Sequence, residues 1–330
     1  MRRLGRLATG FATATVLSVG ASGCVTVHGE LEVLPGATKS EAAQALKDFT
    51  DAYNKADKAY DPALDADRVT GSLGAINQAG LKARQKNNPD GNASHSPLEL
   101  TDAAYTIPKK AGWPRWFLAD TDSNRDRDSG KLDTRWLVVF VKTGPDALWK
   151  ASYLAVIAPS QVPEFRLDAD GFASPVQSGG GELAVAPEDL SSTYTGYLKD
   201  GEPDVFAPGS TTSGWRETRR TTRRAGFSYQ YVDRPLDSGT YAPLGLATED
   251  GGALVFFSSK HFERQTAAKG LRPEVNSDVE ALLTGEVKSS LTKERVSSQL
   301  VYVPKRGGGD SGGKVRVLNR LPGLTSAQGS

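Results

Sequence analysis

One cysteine in 330 residues, Cys24, constrains this chain more than any other feature. With no second thiol there is no internal disulfide, so a hydrophobic core alone must hold the fold together. Its position also carries information. Arg2, Arg3 and Arg6 precede a mildly apolar run over residues 7–19, and the small residues Ala21, Ser22 and Gly23 lead directly into Cys24. That run is too short, and too rich in Thr and Gly, for a transmembrane helix, which needs roughly 20 predominantly apolar residues. Residues 1–23 therefore read as a signal segment that is removed.

This order resembles the bacterial lipobox, with Ala21 where leucine is commonest. The resemblance implies that Cys24 is alkylated with diacylglycerol, becomes the first mature residue and anchors the chain to the outer side of the cell membrane. Two acyl chains hold a protein firmly, because each buried methylene contributes about 0.8 kcal/mol. An acylated cysteine offers no thiol, so thiol catalysis and cysteine-metal sites are excluded. Removing residues 1–23, three of them arginine, leaves 37 Lys and Arg against 39 Asp and Glu, a net charge of −2. No basic footprint for nucleic acid remains.

Residues 24–37 are expected to form a tether, extended over 25–34. Thr38 with Glu41 makes a capping box, and Ala42, Ala45, Leu46, Phe49, Tyr53, Ala56 and Tyr60 recur at helical spacing until Pro62. A weaker helix covers 73–84. Strands rich in β-branched and aromatic residues follow at 97–107, 113–119, 135–142 and 149–158, with Gly144-Pro145-Asp146 turning between the last two. The second half repeats the order after a Pro- and Gly-rich connector: helices at 187–198 and 213–225, then strands at 227–232, 241–248, 253–259, 295–303 and 314–318. Ser277 and Glu280 offer another capping box, for a helix over 278–289. The layout is α+β in tandem domains, each with N-terminal helices on a curved antiparallel sheet. The expected boundaries are 38–159 for the first domain, 160–186 for the connector, 187–320 for the second domain and 321–330 for a C-terminal tail.

Helices on such a sheet, ending in the Gly-Pro-Asp hairpin with Trp149-Lys150-Ala151-Ser152-Tyr153 on the return strand, resemble the cone fold named for nuclear transport factor 2. Together with Asp250-Gly251-Gly252-Ala253-Leu254-Val255-Phe256-Phe257 and the lipobox, the chain is also similar to uncharacterised actinobacterial lipoproteins. Cone-fold isomerases and dehydratases use an inward-facing acid, which makes Asp102, Tyr105, Tyr153, Tyr229 and His261 the residues to inspect. None has a partner at a diagnostic spacing. His28, His95 and His261 lie in separate segments, against a histidine-based metal site. No Gly-x-Ser-x-Gly elbow and no phosphate-binding glycine loop is present, and residues 307–313 read as a hairpin loop.

Three further patterns have a functional and a structural reading. Asp122, Asn124, Asp126, Asp128 and Asp133 occupy positions 1, 3, 5, 7 and 12 of an EF-hand-like calcium frame, but Arg127 stands where the loop needs glycine and position 12 is Asp, so a solvated hairpin is the better reading. The aromatics of Trp113-Pro114-Arg115-Trp116-Phe117 suit a carbohydrate platform but are more often core. Arg216, Arg219, Arg220, Arg223 and Arg224 fall at i, i+3, i+4, i+7 and i+8, which gathers five guanidinium groups on one helix face. Such a stripe suits phosphate or carboxylate groups of membrane headgroups or wall polymers. The competing reading pairs the arginines with neighbouring acids such as Asp233, Asp237 or Glu249. The sequence thus points to a membrane-anchored, non-catalytic binding or scaffold lipoprotein with no cofactor. The alternative is a cone-fold isomerase, dehydratase or hydrolase.

Overall fold

The computed structural model describes residues 32–177, 179–308 and 313–330. Cys24, the signal segment, His28, most of the tether and the tip of the 307–313 loop lie outside the described residues.

The chain enters through β1 (Val33–Pro35) and α1 (Lys39–Ala59). The Thr38–Glu41 capping box forms as expected, and the apolar stripe Ala42, Ala45, Leu46 and Phe49 is buried. α2 (Gly71–Asn87) is longer than its weak periodicity suggested, and its flank is unusually rich in glycine and polar residues. Its entry depends on Gly71, with φ of +57°. A Cβ there would lie 2.5 Å from the Ser152 hydroxyl, so the first turn sits almost against the sheet.

Four antiparallel strands make the first sheet: β2 (Leu100–Thr106), then, past the short β3 (Lys109–Ala111), β4 (Arg115–Ser123), β5 (Arg135–Lys142) and β6 (Lys150–Ile157), in the order β2-β4-β5-β6. β1 pairs antiparallel with β3, so the expected tether closes into a two-stranded ribbon over residues 33–35.

After α3 (Leu190–Asp200) and α4 (Ser213–Thr221) comes a six-stranded sheet. It contains β7 (Phe227–Leu236), β8 (Leu244–Ala247) and β9 (Ala253–Ala267). Beyond α5 (Ser277–Ala281), β10 (Leu283–Thr284), β11 (Ser290–Val303) and β12 (Arg316–Gly329) complete it in the order β10-β12-β11-β9-β7, with β8 beside β9. The expected tail 321–330 is instead the second half of β12, paired with β11 through Gly329. A helix over 278–289 shrinks to five residues, capped by Asn276. Gly285, at φ of +73°, then turns the chain toward β11.

The α+β class with antiparallel sheets holds. The sequence suggested tandem domains, and alternation along the central strands shows the two sheets sharing one apolar layer. On β5, Val138 and Phe140 face α1, whereas Leu137 and Val139 face away from it. On β9, Ala253, Val255 and Phe257 face α3, whereas Leu254 and Phe256 point the other way. These outward faces meet in one cluster with Trp116, Leu118, Tyr153 and Leu300. The section through the molecule is therefore helix, sheet, sheet, helix, as expected for strands buried on both faces. Tyr153 reinforces the seam by donating to the Tyr241 and Ala242 carbonyls at 2.9 and 3.0 Å. The connector is drawn into it as well: Phe165 and Pro175 bridge to Thr248 and Leu246, and Ala173 bridges to Pro108.

Candidate functional site

α4 defines the site. Its apolar content is low and none of its nine residues is fully buried, so its position depends on stacking and polar contacts. The hydroxyl of Tyr194 on α3 donates to the Thr211 carbonyl at 2.6 Å, and Thr212 ties the start of the helix to the Ala207 carbonyl at 2.8 Å. The helix ends at Thr221 with Thr222 as cap. Arg223 and Arg224 therefore lie beyond it, and the five-arginine helical face is corrected to a three-arginine one. Thr222 leaves the helical region at ψ of 119°, and the chain turns through Gly226 into β7.

The three helical arginines have different surroundings. Arg219 is 91% buried: its side chain is 9% exposed, and it grips Asp233 of β7 through two hydrogen bonds of 2.6 and 3.0 Å. Arg216 lies over the Tyr197 ring, and α3 ends in Gly201, at φ of +98°, where a Cβ would come within 2.8 Å of that guanidinium. Arg220 pairs with Glu217 in solvent, a contact that contributes little. Off the helix, Arg224 pairs with Glu274 and covers the Phe227 ring, and Arg223 donates to the Thr222 carbonyl.

Behind Arg219 lies a polar chain that no sequence spacing announced. Asp233 accepts from His261 Nδ1 at 2.5 Å, and His261 Nε2 meets the Ser259 hydroxyl at 2.9 Å. Gln299 closes the chain. Its side-chain amide lies 2.5 Å from the Ser259 hydroxyl and 3.0 Å from the Ser297 and Phe257 carbonyls. Burial pushes His261 down to about 4, against the pull of Asp233, so it is neutral at physiological pH. Burial alone would raise Asp233, but hydrogen bonds from His261 and Arg219 hold it below the usual carboxylate range. The order Asp, His, Ser is that of a hydrolase triad. Ser259, however, is wholly buried and lines neither cavity described below, so its hydroxyl is not presented to a substrate.

Two cavities flank Arg219. A groove of about 950 Å³ runs between α3, α4 and β7, with Lys199, Arg216, Arg219 and Arg220 as its cations and Glu217 and Asp233 as its acids. A smaller pocket of about 180 Å³ opens on the other side, between Trp215, Tyr231 and His261, with Arg219, Arg295 and Arg320 as its cations and Glu263 as its acid. The guanidinium carbons of Arg219 and Arg320 lie 3.7 and 3.6 Å from the Trp215 ring centroid. Two planar cations that close to one indole occupy its opposite faces. His261 meets the same ring edge-on at 4.9 Å.

Arg320 on β12 is the unbalanced member. Among the described residues it has no carboxylate within ion-pair distance, and its buried Nε has no hydrogen-bond partner. Asp233 already serves Arg219 and His261. Glu263 is shared by Lys293 and Arg295, at 3.4 and 3.8 Å. Burial, with Arg219 and Arg295 nearby, pushes Arg320 down to about 10, although Tyr194 and Asp233 act in the other direction.

A family model described as a domain of unknown function, DUF8094, matches residues 33–329, the whole of this architecture. The chain belongs to the DUF8094 family. It is 55% identical to an uncharacterized lipoprotein of Streptomyces coelicolor, over 99% of this chain and 97% of that one, and 51% identical to an uncharacterized lipoprotein of Streptomyces avermitilis, over 100% and 97%. A second uncharacterized lipoprotein of Streptomyces coelicolor is 26% identical over 89% of this chain and 87% of its own. No solved structure matches. With such near relatives, this DUF8094 chain is a lipoprotein, held by lipid on the extracytoplasmic side of the membrane.

The other sequence candidates in the DUF8094 chain fall outside the arginine site. Asp102, at φ of +46° in a β2 bulge, is exposed and pairs with Arg135. Tyr105 packs edge-on against Phe117, Tyr229 accepts from Gln265, and His95 bonds Asp57. Oxygen atoms of Asp122, Asp126 and Asp128 come within 4.8 Å of one another. Asn124 instead turns its amide to Glu99 and Pro97, and Asp126 accepts from Thr134. Trp116 and Phe117 are core, while Trp113 is part-exposed. Arg320 stood out neither by spacing nor by motif, because the strand expected at 314–318 stops two residues short of it.

Proposed function

We propose that this lipoprotein, acylated at Cys24, is a non-catalytic receptor that binds a phosphate or carboxylate group in the arginine pocket around Trp215. The observation that carries the reading is Arg320. A largely buried guanidinium without an ion-pair partner is costly, and an oxyanion placed beside it would supply both a counter-charge and an acceptor for the buried Nε. The pocket is smaller than the roughly 300–1,000 Å³ of sites for drug-sized ligands, which suits one compact anionic group. Guanidinium forks bind such groups bidentately.

The test is calorimetric titration of the mature chain with inorganic phosphate, acetate, a phosphate-bearing wall polymer and vesicles containing phosphatidylglycerol. Saturable binding that disappears in Arg320→Met supports the reading, and the strongest partner identifies the source of the anion. Absence of binding by every probe, or binding unaffected by Arg320→Met, overturns it.

A further inference from the structure

The edge of the molecule from which the chain leads back to Cys24 differs in chemistry from the arginine site. There β1 pairs with β3, setting Val33 opposite Ala111 and Leu34 opposite Lys110. A groove of about 260 Å³ is lined by Leu34, Pro35, Trp113, Arg115, Lys142 and Trp149. Large apolar groups that would normally be covered stand in or beside it: Val33 is 59% exposed, Leu148 45% and Trp113 37%. The basic groups are neighbours of the aromatics. Arg115 lies over the Trp113 ring at 4.8 Å, and Lys110 donates to the Pro114 carbonyl at 3.0 Å. Glu41 is the one acid lining the groove.

Tryptophan beside aliphatic groups, ringed by Lys and Arg, is the composition of a protein surface at the boundary between headgroups and acyl chains. Scattered exposed aliphatics need no explanation, but here Val33 and Leu148 are the chain neighbours of Leu34 and Trp149, which line the groove with Trp113. Chain length supplies the partner. Glu32 is eight residues beyond Cys24, and an extended chain spans at most about 3.6 Å per residue, so an anchor at Cys24 keeps this edge within about 30 Å of the bilayer. Tethering over so short a distance raises the effective concentration of headgroups at the patch.

We infer that the β1-β3 edge, with Trp113, Leu148 and Val33 as its apolar contacts and Lys110, Arg115 and Lys142 as its basic rim, docks on the surface of the anionic phospholipid bilayer that holds the anchor. This rests on Cys24 as the acylated residue and not on the arginine pocket. Docking there fixes the orientation of the molecule. Trp215 and α4 pack on the far side of the second sheet, so two sheets separate the arginine site from the membrane-facing layer.

The lipoprotein reconstituted in vesicles of phosphatidylglycerol and phosphatidylcholine, with a brominated acyl chain as quencher, reads the contact directly. Tryptophan emission is expected to be quenched, and Trp113→Phe to lose most of the quenching. Vesicles of phosphatidylcholine alone should quench less. As a second reading, the mature chain carrying Cys24→Ser should sediment with the anionic vesicles at least fivefold better than Lys142→Glu in that same background. Unquenched emission, or quenching and sedimentation indifferent to both substitutions, overturns the docking. The mass of the N-terminal peptide from membrane-extracted protein tests acylation of Cys24 separately, so failure of the anchor and failure of the docking face are distinguishable.

Discussion

Arg219 and Asp233 form a buried bidentate pair, at 2.6 and 3.0 Å, that joins a helix with no fully buried residue to an edge strand. Removing one partner of such a pair leaves an uncompensated buried charge, which costs about 3–5 kcal/mol. Arg219→Ala should destabilise by that order in urea unfolding, and Arg219→Lys should recover only part, since an ammonium cannot reproduce the fork. The exposed Arg220→Ala should change stability by less than about 1 kcal/mol.

His261 and Asp65 give the stability a pH dependence of opposing signs. His261, pushed down to about 4 by burial, is neutral in the native state, while the unfolded chain takes up its proton near 6.5. Its contribution is full above about pH 6.5 and is lost as the pH falls toward 4, by up to about 3 kcal/mol. Asp65 is raised to about 6 by burial, against the hydrogen bonds of Asn77 and Gln78. The native state therefore holds that proton more tightly, and stability increases as the pH falls through 6. In Asp65→Asn, thermal melts between pH 7 and 4 should show the acid loss more steeply than the parent. Adding His261→Gln should flatten it.

Arg320→Met separates binding from folding. A buried charge replaced by an apolar chain of similar length is often neutral or stabilising, so without ligand the variant should be at least as stable as the parent. In phosphate at about 100 times the dissociation constant, the parent should gain about 2.7 kcal/mol and the variant nothing. Scanning calorimetry with and without phosphate measures both effects.

Phe256→Ala tests the seam between the sheets. The ring is 2% exposed and packs 5.8 Å from Tyr153 of the other sheet. A loss of about 3–5 kcal/mol is expected, within a single unfolding transition, because both halves share that cluster. Two separate transitions in urea would show that the halves fold independently.

The local signals in the sequence were strong where one element sufficed to bury its own stripe. The α1 capping box and the 135–142 strand are of that kind, with apolar residues at regular spacing and clear flanking turns. What was hidden depends on partners distant in the chain. The second half of β12 carries Pro322 and Gly323, so residues 321–330 read as a tail until β11 supplies their ladder. A Cβ on Gly323 would come within 2.4 Å of Ile76 on α2, a close approach that composition does not reveal. In the site, the helical spacing of Arg216, Arg219 and Arg220 was legible, as was Asp233 as a neighbour. The Asp233-His261-Ser259-Gln299 chain is drawn from three strands, and its members lie 26 to 66 residues from Asp233, beyond any local motif.

The absence of fully buried residues in α4 has a mechanical consequence. The two halves of the molecule are welded along a continuous apolar seam, so no hinge between them is available to report that a ligand has arrived. α4 is held by one indole, a few hydroxyls and an ion pair, and its stacking partner Arg320 is the group an incoming anion would engage. Signal and occupancy would therefore be read at the same nine-residue lever, as a change in how tightly it is clasped to an otherwise unyielding body.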